Sequence, residues 1–260
     1  MNTKKLIIFV LVAMLLSGCA SETVATALAT TQLPPTEPVT TMPVVEIPEP
    51  TLPEHSDLYT EDVTIEDAIL WFSEVCLDSE IINSGDPSKV QRWEDPILYQ
   101  LHGQPTSQDL EVLGSFSNWL NQVEGFPGIA EAGDGDFANM NIYFTDHQGL
   151  LDIMGDNFAD VDGAMTFWYD VDVIYAGDIC IRTDLPQDLR NSVILEELYN
   201  CLGPVQDTVL REDSIIYQYF SQPQALTAVD ELILKLLYHP QIQCGMDQTA
   251  CEEVLRNIYY

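Results

Sequence analysis

The sequence predicts an α+β domain between residues 58 and 260, and three observations carry that prediction. Apolar stripes recur at helical spacing, at Ile65, Ala68, Ile69, Phe72 and Val75 or Cys76, and again at Leu110, Leu113, Phe116, Trp119, Leu120 and Val123. Short apolar or alternating segments lie between and after them, the longest being Val171 to Arg182. From Leu185 onward the pattern turns mostly helical, giving a small sheet packed on helices with a helical C-terminal part. The span has enough aromatic and aliphatic residues for one domain with its own core, and no repeat interrupts it.

Ahead of the domain, residues 1–18 read as a targeting segment. Lys4 and Lys5 supply a positive start, and Leu6 to Leu16 form an apolar run short of the roughly 20 residues that span a bilayer. Leu16-Ser17-Gly18-Cys19 then resembles the cleavage site of a bacterial lipoprotein signal. That resemblance implies cleavage before Cys19, lipidation of its thiol, and an extracytoplasmic protein anchored to a membrane without crossing it. An ordinary secretory signal or a short membrane anchor is the plainer alternative. Residues 19–57, rich in Thr and Pro with no apolar period, read as a flexible spacer that holds the domain away from the lipid.

With 42 acidic and 9 basic residues, the chain has a formal net charge of −33. Nucleic acid is a poor partner for such a surface, because phosphate neutralisation needs clustered Lys and Arg. Anionic lipid would also repel it, which suits a domain on a spacer. Plain solubility accounts for the charge, and a cationic partner or peptide is the sharper reading. Besides Cys19 there are Cys76, Cys180, Cys201, Cys244 and Cys251, an odd number for an exported domain. Cys244 with Cys251, and Cys180 with Cys201, are the pairs that could form disulfides; buried free thiols are the alternative, above all for Cys76 and Cys201.

Taken in order, Thr64-Ile65-Glu66-Asp67 opens a helix to Ser79, Gly85 to Ser88 makes a turn, and Pro96 to Leu101 forms a strand ended by His102, read as a surface residue. Thr106 to Asp109 caps the second helix. Asn141 to Phe144 and Gly163 to Tyr169 read as strands around a helical turn at Gly149 to Met154. Gly133 to Asp136 and Asp160 to Gly163 look like calcium loops but lack the full ligand pattern of an EF-hand, and they read as acidic turns with calcium weakly supported. Leu185-Pro186 opens a helix ending near Gly203, and further helices run from Thr227 to Tyr238 and from Asp247 to Asn257.

The helix before Gly203 carries the chemistry. It reads Glu196-Glu197-Leu198-Tyr199-Asn200, then Gly203 and Gln206, followed by Ser214-Ile215-Ile216-Tyr217 and Leu226-Thr227-Ala228-Val229-Asp230. In this order the blocks resemble the metzincin branch of zinc proteases, whose frame is H-E-x-x-H-x-x-G-x-x-H or D, a Met-turn, and a helix starting L-T-x-x-D. More closely, E-E-L-x-x-x-L-G-P-x-x-D with D-S-I, L-T-x-x-D and Y-x-P-x-x-x-x-G-M is similar to an uncharacterised family of exported bacterial proteins, domain of unknown function 2927.

The resemblance implies a zincin-like fold with a former active-site helix at its centre. Glu197 would occupy the general-base position, while Glu196, Asn200 and Gln206 would stand where imidazoles hold zinc. Gly203 and the turn at Ser214, Ile215, Ile216 and Tyr217 would complete the cleft. Zinc prefers imidazole and thiolate, so no cofactor is expected. His55, His102, His147 and His239 leave little to assemble an alternative site. The resemblance further implies an edge strand with Phe167, Trp168 and Tyr169 beside the helix, to which an extended peptide could add. The preferred function is therefore an inactive domain binding a peptide or envelope component in the old cleft. An active surface hydrolase with Glu197 as base, and a passive structural lipoprotein, are the alternatives.

Overall fold

In the computed structural model, residues 5–6, 56–60, 62–77, 89–219 and 222–260 are described. Cys19, the spacer, His55 and the turn at Gly85 to Ser88 lie outside the described residues.

Helix α1 (Ile65–Leu77) starts where the sequence places it: Thr64 Oγ1 accepts from Asp67 N at 3.1 Å, and Asp67 Oδ2 accepts from Thr64 N at 3.3 Å. This reciprocal cap satisfies donors that a helix start leaves orphaned. Its predicted apolar stripe, from Ile65 through Cys76, is buried. Helix α2 (Ser107–Leu120) has the same capping box from Thr106 and Asp109.

The sheet contains β1 (Lys5–Leu6), β2 (Arg92–Trp93), β3 (Ile97–Gly103), β4 (Ile129–Glu131), β5 (Met140–Thr145), β6 (Gly163–Asp170) and β7 (Val173–Arg182). Its order is β1-β6-β7-β5-β3-β4, with β2 pairing β7. Strands β4, β3, β5 and β7 run parallel, and β6 lies antiparallel on β7. Parallel strands need crossovers, and α2 and α3 (His147–Met154) supply helices in those connections. The β6–β7 hairpin turns at Val171 and Asp172, whose φ of 50° and 68° match the primed turns favoured by twisted hairpins. This turn is why the observed strand begins at Val173 rather than Val171.

His102 lies inside β3 rather than after it. Its Nε2 is 3.0 Å from Asn141 Oδ1, and its ring stacks on Tyr143 at 4.5 Å. The stretch Ile129 to Glu131, unassigned from sequence, becomes a strand by pairing with β3. Three residues are too few for a period to show.

One face of the sheet carries the main core, with α1, α2, α4 (Gln187–Cys201), α5 (Ala228–Tyr238) and α6 (Gln248–Ile258) contributing. A smaller cluster of Leu150, Phe158, Ala164 and Cys180 covers the other face under α3. All five described cysteines are free. Cys180 belongs to the small cluster, whereas Cys201 packs in the main core against Gly177, two faces of one sheet that no disulfide spans. Cys251 is buried in the main core, and Cys244 is half-buried with its thiol toward Arg92 O at 3.7 Å.

Helix α4 lies tightly on the sheet. A Cβ on Gly177 would come within 2.7 Å of Cys201 Sγ. Gly177→Ala is therefore expected to cost about 1–3 kcal/mol of unfolding free energy in urea titration, with Cys201→Ala in the same chain recovering part of it. Additive losses would show that the two positions do not meet. Among the described residues no helix is long and apolar enough to cross a membrane.

Candidate functional site

Helix α4 has very little free surface. From Arg190 to Cys201 every residue is buried except Glu196 and Glu197, which are partly exposed. At its N-terminal half, Arg190 Nε donates to Asp109 Oδ1 at 2.8 Å, and Asp109 has no exposed surface. Burial disfavours the charged Asp109, but hydrogen bonds from the Thr106 backbone, Gln187 and Arg190 outweigh it and hold the carboxyl below its ordinary range. This bridge ties α2 to α4. Its partners lie 81 positions apart, so no local pattern shows it.

At the other end of α4, Trp93 Nε1 donates to Cys201 O at 2.9 Å and Tyr238 OH to Leu202 O at 2.8 Å. Two of the carbonyls that a helix terminus leaves unpaired are thereby satisfied inside the core. Gly203 follows with φ 128°, and a Cβ there would run into Gln91 O. The residue is a glycine because the backbone is in a region closed to L side chains and because another strand of chain passes against it.

The two carboxylates open toward the start of β6. A Cβ on Gly163 would run into Val193 Cγ1 and fall 2.9 Å from Glu197 Oε1, so the strand backbone passes directly beside the Glu197 carboxylate. Burial, followed by the negative charges of Asp207 and Asp162, pushes the Glu196 carboxyl up to about 8. Burial, Glu196 and Asp207 push Glu197 well above the ordinary carboxylate range. Acids crowded in a low-dielectric site cannot all ionise cheaply, so both carboxyls are pushed toward the protonated form. Arg182 does not neutralise the pair; its guanidinium bonds Asp162 and Asp184, each at 3.0 Å.

Asn200 is 6% exposed, and its Oδ1 is buried without a hydrogen-bond partner. Successive helical residues turn by about 100°, which places Asn200 about 40° from Glu196 and about 60° from Glu197, between the two. Gln206 lies on the loop after Gly203, where its backbone N–H donates to Val75 O at 3.3 Å. Among the described residues, no group of three His, Cys, Asp or Glu could hold a metal ion.

The turn at Ser214 is tied by one carboxylate. Asp230 is 2% exposed and accepts hydrogen bonds from Ser214 Oγ at 2.6 Å, Ile215 N at 3.3 Å, and Thr227 N and Oγ1 at 2.9 Å each. Tyr199 of α4 donates to the Asp230 carbonyl at 3.0 Å. Ser214, Ile215 and Ile216 are buried, and Tyr217 packs edge-on to Tyr219 at 5.5 Å. Ile216 O accepts from Thr208 N at 2.9 Å, joining the turn to the loop that carries Gln206 and Asp207.

The expected edge strand is only partly as foreseen. Phe167 has no exposed surface and belongs to the core, because β6 alternates and its Gly163, Met165 and Phe167 side faces α4. Trp168 and Tyr169 are partly exposed, and their backbone pairs with Leu6 and Lys5 of β1. Two acids of the cleft were not singled out from sequence. Asp162 lies in the acidic turn read as a weak calcium loop, and Asp207 is the aspartate three residues after Pro204; both signals were present as charge without a stated role. The other acidic turn is closed by Gly133 N donating to Asp136 Oδ2 at 2.9 Å.

A separate groove of ≈ 440 Å³, lined in part by Trp119, Asn191, Leu195 and Leu226, lies between α2, α4 and the start of α5. Leu195 projects about 160° away from Glu197 on α4, so the groove is not the carboxylate cleft.

Residues 66–257 match the model of a family described as a protein of unknown function, DUF2927. The chain belongs to DUF2927. In this DUF2927 chain the match starts inside α1 and ends inside α6, and it includes every described element that builds the cleft except the first residue of α1 and the last of α6. No curated protein and no solved structure matches the chain.

Proposed function

We propose that this DUF2927 chain is a cell-surface lipoprotein whose zincin-like domain has lost protease chemistry and binds a peptide or envelope component in the former substrate cleft. The observation that carries the reading is the passage of the β6 backbone beside Glu197, at the opening that Glu196 and Glu197 make in the otherwise buried Arg190 to Cys201 segment of α4. An extended peptide added to β6 would run along that opening. Lys5 and Leu6, which the lipoprotein reading removes with the signal, pair with Tyr169 and Trp168, so this edge can take a short extended segment.

Loss of the protease chemistry follows from the residues at the former ligand positions. Glu196, Asn200 and Gln206 offer zinc one carboxylate and two neutral amides, where imidazole or thiolate would be favoured. Burial, Glu196 and Asp207 favour the neutral form of Glu197, which lowers the share of the ionised form that could act as a base toward water. The Ser214 turn, Gly203 and Asp230 keep the cleft in shape, as a binding site requires. Cys19 would carry the lipid and residues 19–57 the spacer, placing the domain outside the cytoplasm.

The test uses the full chain and a pooled library of dye-labelled hexapeptides read by fluorescence anisotropy. Binders are expected, none is expected to be cleaved, and N-methylation of alternate peptide nitrogens should weaken binding at least about tenfold by removing strand pairing. A library without binders, or binders indifferent to N-methylation, would sink the proposal. Cleavage abolished by Glu197→Gln would establish the hydrolase in its place.

A further inference from the structure

We infer that the cleft at Glu196 and Glu197 is a receptor for the cationic side chain, arginine or lysine, of a bound extended peptide. The inference rests on the peptide-binding reading above and names what the peptide must carry. Glu196, Glu197, Asp207 and Asp162 act on one another electrostatically in one cleft, and the Arg182 guanidinium is committed to Asp162 and Asp184. An acidic cluster alone is an ordinary surface feature in a chain of net charge −33.

Asn200 makes this one different. Its Oδ1 is an acceptor with no partner, on a side chain 6% exposed, and its place on α4 sets its Cβ between those of the two glutamates around the helix. A buried carbonyl oxygen left unpaired costs free energy, and a ligand bearing N–H donors removes that cost. A cation seated there would displace the protons that the crowded acids hold, so the ligand that suits these acids and an orphaned carbonyl together carries positive charge and several donors. Guanidinium has five N–H groups in a planar fork, and ammonium has three.

The geometry also separates this class from a metal ion. An ion needs its ligands drawn to within about 2.0–2.6 Å of one point, and among the described residues no three His, Cys, Asp or Glu converge in that way. A guanidinium spans several ångströms and can bond acids that do not converge. The backbone for such a peptide lies beside the acids, since Gly163 of β6 touches Glu197.

The experiment measures anisotropy of three dye-labelled hexapeptides with the full chain, identical except for arginine, citrulline or glutamate at one central position. Arginine is expected to bind at least about tenfold tighter than citrulline, with glutamate weakest. Glu197→Gln should shrink the arginine-to-citrulline ratio at least about fivefold. Glu131→Gln, an equal change of charge on β4 at the opposite side of the sheet, should leave it unchanged.

Equal binding of arginine and citrulline peptides would overturn the inference while leaving a peptide-binding cleft. Equal loss in the Glu131 variant would overturn it too, by assigning the preference to the field of the whole chain. No binding of any of the three would remove both readings. Misfolding of the Glu197 variant does not blur the outcome, because removing a repelled carboxylate should raise its melting temperature at pH 8 while weakening arginine binding.

Discussion

Replacing Asp230 by alanine is expected to lower the unfolding free energy by about 3–5 kcal/mol. The side chain accepts four hydrogen bonds, from Ser214 Oγ, Ile215 N, Thr227 N and Thr227 Oγ1. Its removal leaves the Ser214 hydroxyl and the Ile215 amide without an acceptor inside the core, at about 1–3 kcal/mol for each unsatisfied buried group. It also deletes one half of the α5 capping box, worth about 1 kcal/mol. Asp230→Asn keeps the shape but turns one acceptor into a donor facing donors, so it should fall between wild type and alanine. Urea unfolding of the full chain measures both. A loss below about 1 kcal/mol for alanine would mean that the turn holds without its carboxylate.

The second large effect is a dependence of stability on pH that runs opposite to ordinary acid denaturation. The folded Glu196 carboxyl is raised to about 8 from an ordinary value of 4.5, and Glu197 is raised as well. Between pH 4.5 and 8 the folded protein thus holds protons that the unfolded chain has released. Stability from this pair is fully present below pH 4.5 and is lost as pH rises toward 8. A tenfold change in proton affinity corresponds to about 1.4 kcal/mol, but partly exposed carboxyls are screened, and about 1–3 kcal/mol for the pair is the expected loss between pH 5 and 8. Groups whose proton affinity is lowered by folding act at lower pH. Asp109 is depressed, so its contribution disappears only as pH falls below its ordinary value of 3.8. The melting temperature should therefore rise from pH 8 to pH 5 and fall again in stronger acid. The double variant Glu196→Gln, Glu197→Gln should lose the first limb and be the more stable protein at pH 8. A wild-type melting temperature that is level between pH 5 and 8 would contradict the burial of these acids.

Much of the fold could be read from local signals because they are local in cause. Thr64 with Asp67, Thr106 with Asp109, and Thr227 with Asp230 sit three residues apart and cap helices whichever way the chain later packs. The stripe from Ile65 to Cys76 follows the helical period and is buried. Where sequence reading erred, a distant partner decided the outcome. β4 exists because Ile129 to Glu131 meets β3, and His102 is inside a strand because Asn141 and Tyr143 lie across from it. Phe167, on the strand named as the candidate edge, takes the core place common for such aromatics, because the alternation of β6 is set by the face that α4 covers.

The same division runs through the candidate site. Sequence by itself determined its inventory: two adjacent carboxylates and an amide one turn apart on a helix, a glycine after it, a Ser-Ile-Ile turn and a Thr-x-x-Asp cap, in an order shared with DUF2927. It also determined that Glu196, Asn200 and Gln206 stand where the resemblance would place histidines. Only the tertiary structure decided that the two glutamates are set against the backbone of β6. Glu196 and Glu197 could have been solvated acids on a surface helix; they are pushed toward the protonated form because α4 is packed against α2 and the sheet, which buries all the other residues from Arg190 to Cys201. Burial and the convergence of Asp162 and Asp207 from separate loops are properties of packing, and a charge acquires its free energy from the dielectric and the neighbours that packing supplies.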